Sequence, residues 1–170
     1  MRRHCYRREF WEHVSWLRSG KGASGSLDFN IHGYQGEWLK VTVIGYSFPE
    51  ADDDWDRNWL DCLLHLELEG FKADFAFGLR TDELENFLQE AEQLYANMKG
   101  KAVLKNMDSV IRLEVTADKT GRLIWDGELV YPAGVGTFLK FTYESDQTFL
   151  PGLISEIRQI LRQYPVRHDA

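Results

Sequence analysis

Hydrophobic and polar residues follow two recurring patterns along the chain, a period of two that predicts β-strands and a period of 3.6 that predicts amphipathic helices. Both patterns occur in succession between Gly136 and Tyr164. Leu139, Phe141 and Tyr143 alternate with polar residues and predict a strand, and apolar residues at helical spacing follow directly. A strand that leads into an apolar-faced helix predicts that the helix packs back on a sheet.

The same succession of patterns occurs once before, in the middle of the chain. With the alternating segments that precede each unit, it predicts the order β-β-β-β-α twice, the second set opening with a short strand. The helices are predicted over 82–98 and 148–163, and Asp82 with Glu85 has the spacing of a reciprocal N-terminal cap. The predicted fold class is therefore α+β, with two helices packed on antiparallel sheet.

The shift that places Gly70 on Gly136 superimposes the two strand–helix units and also brings Phe75 onto Phe141. Apolar helix positions match under the same shift. The match fails upstream, because Leu63 and Leu129 have opposite predicted orientations, and a one-residue bulge or deletion would restore it. One interpretation is an internal β-β-β-α duplication, and the other is that any two amphipathic strand–helix pairs can be superimposed in this way.

The start of the last predicted helix carries the polar residues Asp146 to Thr148. Side-chain oxygens of Asp and Thr accept hydrogen bonds from the free N–H groups of a first helical turn. We therefore predict that these residues end the strand and cap the helix, rather than line a functional cleft.

Composition indicates a folded chain whose charge is unevenly distributed. The 170 residues are 44% hydrophobic and 14% aromatic, a length and content that suit one core. The net charge is −7, but segment 1–22 carries +4, which leaves −11 on the remainder. Since phosphate neutralisation supplies most nucleic-acid affinity, an acidic body disfavours direct binding of nucleic acid and favours a basic protein partner.

Segment 1–24 is predicted to be a basic N-terminal segment separate from a single α+β domain at 25–165. Four apolar residues at helical spacing, Phe10, Trp11, Val14 and Leu17, precede a glycine- and serine-rich linker. The segment is interpreted either as an amphipathic helix that docks on a partner or membrane surface, or as a disordered tail.

Neither the cysteines nor the N-terminal residues indicate export. Cys5 and Cys62 lie far apart without a C-x-x-C pair, which favours reduced thiols. Charged residues interrupt any apolar signal-peptide region, and no apolar run is long enough to span a bilayer. A cytoplasmic location is expected, and the sequence leaves the oligomeric state open.

The densest polar cluster is segment 50–56, which has five carboxylates in seven positions. A solvated loop, a cation site and a partner-binding loop are three interpretations, although the ligand order of an EF-hand is absent. Trp59 adjoins a strand and is expected to pack in the core, which leaves Trp55 as an anchor within a charged rim. The predicted partner-binding residues are Asp52, Asp53, Asp54, Trp55 and Asp56.

No sequence motif supports enzymatic chemistry, and no cofactor is predicted. The five histidines lack ligand spacing, and no nucleophile elbow, P-loop or dinucleotide fingerprint occurs. Cys62 faces inward by alternation and is expected in the core. The alternative is a small-molecule-binding or enzymatic α+β domain with a pocket between sheet and helices.

Three short segments carry a resemblance to a known family: 54–60 (DWDRNWL), 79–87 (LRTDELENF) and 145–151 (SDQTFLP). Over residues 27–164 the chain resembles the WapI-type immunity proteins, small bacterial proteins associated with polymorphic and contact-dependent toxin systems. The resemblance implies that the chain binds a cognate toxin in the cytoplasm and blocks it. It does not cover the basic N-terminal segment and transfers no binding residues.

Overall fold

The computed structural model describes residues 26–53 and 55–167, so the predictions for the basic N-terminal segment lie outside the described residues. Two four-stranded antiparallel sheets are each followed by a helix. The first half contains β1 (Leu27–His32), β2 (Trp38–Tyr46), β3 (Trp59–Leu68), β4 (Phe71–Arg80) and α1 (Thr81–Asn97). The second contains β5 (Lys101–Lys105), β6 (Ile111–Ala117), β7 (Arg122–Tyr131), β8 (Thr137–Asp146), a 3-10 turn (Gln147–Phe149) and α2 (Leu150–Gln163). The predicted α+β class is confirmed.

The strands follow the alternation of the sequence, because each sheet has one apolar face. In β3 the buried residues are Leu60, Cys62, Leu64 and Leu66, and the residues between them are half-buried. Burial raises the pKa of the Cys62 thiol well above its ordinary value, which keeps it protonated and supports the prediction of a core residue.

Each helix packs beside the first strand of the other half. Helix α1 lies beside β5, α2 lies beside β1, and the two helices contact each other. Glu90 Oε2 of α1 accepts a hydrogen bond from the Val103 N–H at 2.7 Å. Glu156 Oε2 of α2 accepts one from the Asn30 N–H at 2.8 Å. One edge of each sheet is therefore covered by a helix and hydrogen-bonded to it.

These contacts relate the two halves by an approximate two-fold axis, since the predicted superposition places Glu90 directly on Glu156. It also places Glu92 on Arg158, and these two residues form a salt bridge at 2.8 Å. Two equivalent positions touch when they lie close to a two-fold axis. The predicted order β-β-β-β-α is thus found in both halves, and the repeat extends to all four strands rather than the three of the suggested β-β-β-α duplication.

The break in the superposition arises from a turn. Cys62 pairs with Phe77, and Trp125 pairs with Tyr143. Since Phe77 and Tyr143 are equivalent, their strand partners Cys62 and Trp125 should be equivalent too. The shift that places Phe77 on Tyr143 instead places Cys62 on Glu128, three positions beyond Trp125. The β7–β8 turn has five residues and the β3–β4 turn two, which accounts for this difference of three. An odd difference reverses side-chain parity, so the predicted one-residue bulge or deletion is wrong.

The helix starts differ in how they are capped. Helix α1 begins one residue earlier than predicted, and Glu83, not Glu85, accepts a hydrogen bond from the N–H of the capping residue Arg80 at 2.9 Å. Asp146 Oδ1 accepts one from the Thr148 N–H at 2.8 Å, so Asp146 ends β8 and caps the 3-10 turn that leads into α2, as predicted for the start of this helical segment; no described side chain caps α2 itself. This hydrogen bond lowers the pKa of the Asp146 carboxyl group.

Candidate partner-binding surface

The predicted binding residues lie in the acidic loop, defined here as residues 47–58 between β2 and β3. The equivalent connection of the second half, between β6 and β7, has only four residues, 118–121. There the Asp118 carboxylate accepts hydrogen bonds from Thr120 and Arg122, which lower its pKa and form a tight turn. Relative to its repeat partner, the acidic loop is therefore an insertion of eight residues.

The loop presents its acidic residues around a short turn. Asp52 and Asp53 are exposed, Asp56 is half-buried, and Asp54 lies outside the described residues. Asp53 Oδ1 accepts a hydrogen bond from the Asp56 N–H at 2.8 Å, so this carboxylate also orders the turn. The Arg57 guanidinium donates to the Asp52 carbonyl oxygen. The structure thus places Asp52, Asp53, Trp55 and Asp56 on one loop, and hydrogen bonds within the loop order the described part of it.

Trp55 is the exposed aromatic residue of this loop, with 54% of its surface accessible. Arg80, the residue before α1, supports it: the guanidinium carbon lies 4.8 Å from the centroid of the Trp55 ring, and Nη1 donates to the Trp55 carbonyl oxygen at 2.5 Å. Asp82 Oδ1 accepts from Arg80 Nε at 2.9 Å and fixes the guanidinium. Arg80 is buried, and its contacts with Trp55 on one side and Asp82 on the other connect the loop to the start of α1.

Trp59 does not pack in the core between the sheets and helices, contrary to the prediction. It is half-buried on the outer face of β3, where its ring lies over Gly78 of β4. A β-carbon at Gly78 would lie 3.0 Å from the Trp59 ring, so the glycine accommodates the indole. Arg80 also faces this ring, at 5.9 Å. The two tryptophans therefore flank one arginine on the outer surface.

Asn58 fixes the base of the acidic loop to two other segments. Its buried side chain accepts hydrogen bonds from the Thr81 hydroxyl at 2.9 Å and from the Arg167 N–H at 2.8 Å, and it donates to the Arg167 carbonyl at 2.9 Å. Arg167 in turn donates to the Pro49 carbonyl at 3.1 Å and stacks 3.6 Å from the Tyr46 ring centroid. The loop, the start of α1 and the segment after α2 form one surface.

Sequence reasoning did not find Arg80, Asn58 or Arg167 as parts of this surface. Each lies far along the chain from at least one of its partners. Asn58 and Arg80 stand in the family-like segments 54–60 and 79–87, but the resemblance assigned neither of them a role. The loop also contains or contacts three positively charged residues, Arg57, Arg80 and Arg167. Their charge partly neutralises that of the carboxylates of the loop.

Among the described residues no cluster of three metal-ligating side chains occurs, and no described helix is long and apolar enough to cross a membrane.

The fold and this surface define the class of protein, a two-sheet α+β domain built from a repeated unit with one enlarged loop. Residues 28–165 match the Immunity protein WapI-like family, and the chain belongs to that family. The resemblance seen in the sequence is thus confirmed, and membership implies a role in toxin immunity.

Comparison with curated proteins gave no match. Among solved structures, one titled as MRP1/MRP2 of trypanosoma bruciei is similar, with a TM-score of 0.47 and 13% sequence identity. The similarity covers 89% of this chain and 93% of that chain.

Proposed function

We propose that this protein binds a cognate bacterial toxin in the cytoplasm and neutralises it without catalysis, using the acidic loop as part of the binding surface. Family membership supports the immunity role. The observation that carries the choice of surface is the eight-residue enlargement of the acidic loop over its repeat partner. Loops on a rigid scaffold commonly carry binding function, and a duplicated fold makes such an enlargement visible.

Trp55 suits the role of a central anchor for the toxin. Its ring rests on the Arg80 guanidinium, so part of its conformational freedom is already lost before binding. The remaining exposed surface is available to a partner. Large aromatic residues held in this way contribute much of the energy of protein interfaces.

The surrounding carboxylates suit the role of steering a basic toxin domain. Asp52 and Asp53 are exposed, and the chain beyond segment 1–22 is acidic. Complementary charge raises the rate of association and the specificity of a complex more than its final affinity. Loss of the aspartates is therefore expected to affect mainly the rate of association, and loss of Trp55 mainly the rate of dissociation.

Converting Asp52, Asp53 and Asp54 to asparagine is expected to slow association with the toxin and to weaken its dependence on salt, with stability nearly unchanged. Asparagine keeps the side-chain oxygen at Asp53 that orders the turn. The measurement is binding kinetics with the purified toxin at two ionic strengths. A matched control converts Glu69, Glu85 and Asp108, exposed elsewhere, to their amides. Equal slowing in both variants would assign the effect to net charge and not to the loop.

Replacing Trp55 with alanine is expected to accelerate dissociation of the toxin by about tenfold or more, with little change in association. Tyr95→Ala, which removes an exposed aromatic ring from α1, is the matched control. Surface plasmon resonance gives both rates, and thermal unfolding checks that the fold is retained. Unchanged rates in the Trp55 and aspartate variants would remove the acidic loop from the interface.

The immunity role itself is tested by mixing the purified protein with its candidate toxin, which is identified by co-purification from the native organism. We expect a stoichiometric complex and loss of toxin activity. If no complex forms, and native mass spectrometry finds a small molecule bound instead, the proposal is overturned in favour of a ligand-binding domain.

A further inference from the structure

The edge strand β4 is open along its first half. In the first sheet, β1 is covered by α2 through Glu156, whereas β4 ends the sheet on the other side. Asn106 reaches this edge only at its far end, where its Nδ2 donates to the Gly78 carbonyl oxygen at 3.0 Å. From Phe71 to Phe75, the described residues provide no backbone hydrogen bonds to β4 except those of β3.

The backbone groups of Lys72 and Asp74 face this open side. Leu68 and Phe71 pair across a two-residue turn, and the residues that flank such a turn form a hydrogen-bonded pair. Hydrogen bonds toward a neighbouring antiparallel strand then involve every second residue. Phe71, Ala73 and Phe75 therefore bond to β3, and the N–H and C=O groups of Lys72 and Asp74 point outward.

The sequence of this edge, FKADF at 71–75, is self-complementary about Ala73. Suppose that β4 of a second copy pairs antiparallel with this strand, with the two-fold axis at Ala73. Lys72 then lies opposite Asp74 of the second copy, and Phe71 lies opposite its Phe75. A lysine on an edge strand ordinarily discourages pairing, but here it would meet an opposite charge in both symmetry-related positions. The outward backbone groups of Lys72 and Asp74 would be paired as well.

Three of the five side chains at this edge are accessible to a second copy, whereas Ala73 is half-buried and Phe75 is buried against the Tyr131 ring. Phe71 is 61% exposed although it lies on the apolar face of the sheet, and the Lys72 and Asp74 side chains are 64% and 52% exposed. Their contacts within the chain are an exposed salt bridge between Lys72 and Glu67 and an exposed hydrogen bond between Asp74 and His65, and such surface contacts contribute little to stability. These side chains can therefore reorient toward a partner at small cost.

The equivalent edge of the second sheet lacks this complementarity. In β8, the corresponding residues from Thr137 to Tyr143 include Lys140 but no acidic residue. The next residue, Glu144, already accepts a hydrogen bond on its carbonyl from the Tyr34 N–H at 3.0 Å. Self-pairing is thus specific to β4, although the two strands are equivalent in the repeat.

We propose that the protein forms a two-fold symmetric dimer through antiparallel pairing of β4 with β4 of a second copy, which joins the first sheets into one eight-stranded sheet. The exposed Phe71 rings are covered at the junction. The acidic loop follows β2 and lies at the opposite end of the sheet from the β3–β4 turn, so both loops of the dimer remain accessible. The dimer is independent of the proposed toxin binding.

The test uses charge reversal of the full-length protein, measured by analytical ultracentrifugation. Asp74→Lys and Lys72→Asp should each place like charges opposite each other and raise the dimer dissociation constant by about tenfold or more. Mixing the two variants should restore the dimer, because each lysine of one copy then meets an aspartate of the other. Lys119→Asp, an exposed charge reversal in the β6–β7 turn, should leave the dimer unchanged.

Circular dichroism and thermal unfolding of each variant confirm that the fold is retained. A monomeric wild-type protein would overturn the proposal. Variants that dimerise as the wild type does, or a mixture that fails to recover the dimer, would also overturn it. No toxin is needed for these measurements, so they can fail without affecting the proposed immunity role.

Discussion

Replacing Ile157 with alanine is expected to lower the free energy of unfolding by about 2–5 kcal/mol. Ile157 lies in the middle of α2 and is completely buried in the core. Truncation removes three methyl or methylene groups from this core and leaves a cavity that the surrounding sheet and helices fill only in part. Urea denaturation followed by circular dichroism measures the change.

Two further variants calibrate the Ile157 result. Ile157→Val removes one methylene group and should cost about 0.5–1.5 kcal/mol. Gln159→Ala, exposed on the same helix, should stay within about 0.5 kcal/mol of the wild type. An Ile157→Ala effect as small as that of Gln159→Ala would show that the packed face of α2 has been assigned wrongly.

Replacing Asn106 with alanine is expected to destabilise the protein by about 2–5 kcal/mol, although it removes only a small polar group. The completely buried side chain accepts hydrogen bonds from the Val110 N–H at 2.8 Å and the Ile111 N–H at 3.0 Å, and donates to the Gly78 carbonyl. Each buried donor left unpaired costs about 1–3 kcal/mol. Equilibrium denaturation gives the total.

Hydrogen exchange distinguishes this mechanism from a simple loss of packing. The Val110 and Ile111 amides should lose protection in Asn106→Ala more than amides of β7, because their acceptor is gone. Met107→Ala, an exposed neighbour whose backbone contact with Glu83 is preserved, is the control and should change stability by less than about 0.5 kcal/mol. Unchanged protection at both amides would argue against the role assigned to Asn106.

Features encoded by local periodicity could be predicted from the sequence. The inward orientation of Cys62 and the bounds of both helices follow from apolar spacing, and the structure places the helix ends within about two residues of the expected positions. The capping role of Asp146 is also local, because donor and acceptor are two residues apart. These features depend on short-range geometry that every strand and helix shares.

Features that depend on distant contacts could not be predicted. Asn58 joins residues from three parts of the chain, and Arg80 supports Trp55 from the far side of a complete hairpin, so neither leaves a local pattern. The parity error between Leu63 and Leu129 has a different cause. The turn between the third and fourth strands differs in length between the repeats, and this difference displaces every residue on its far side relative to a single superposition.

The exchange of helices between the halves makes the folding of one repeat depend on the synthesis of the other. The first sheet is complete once β4 has formed, but the outer edge of β1 stays uncovered until α2, the last element of the second repeat, is made. Until the second repeat is made, the first sheet therefore lacks both the Tyr131 ring that packs on Phe75 and the helix that covers the edge of β1. Because the two repeats share one core and exchange helices, we expect them to unfold together as one cooperative unit.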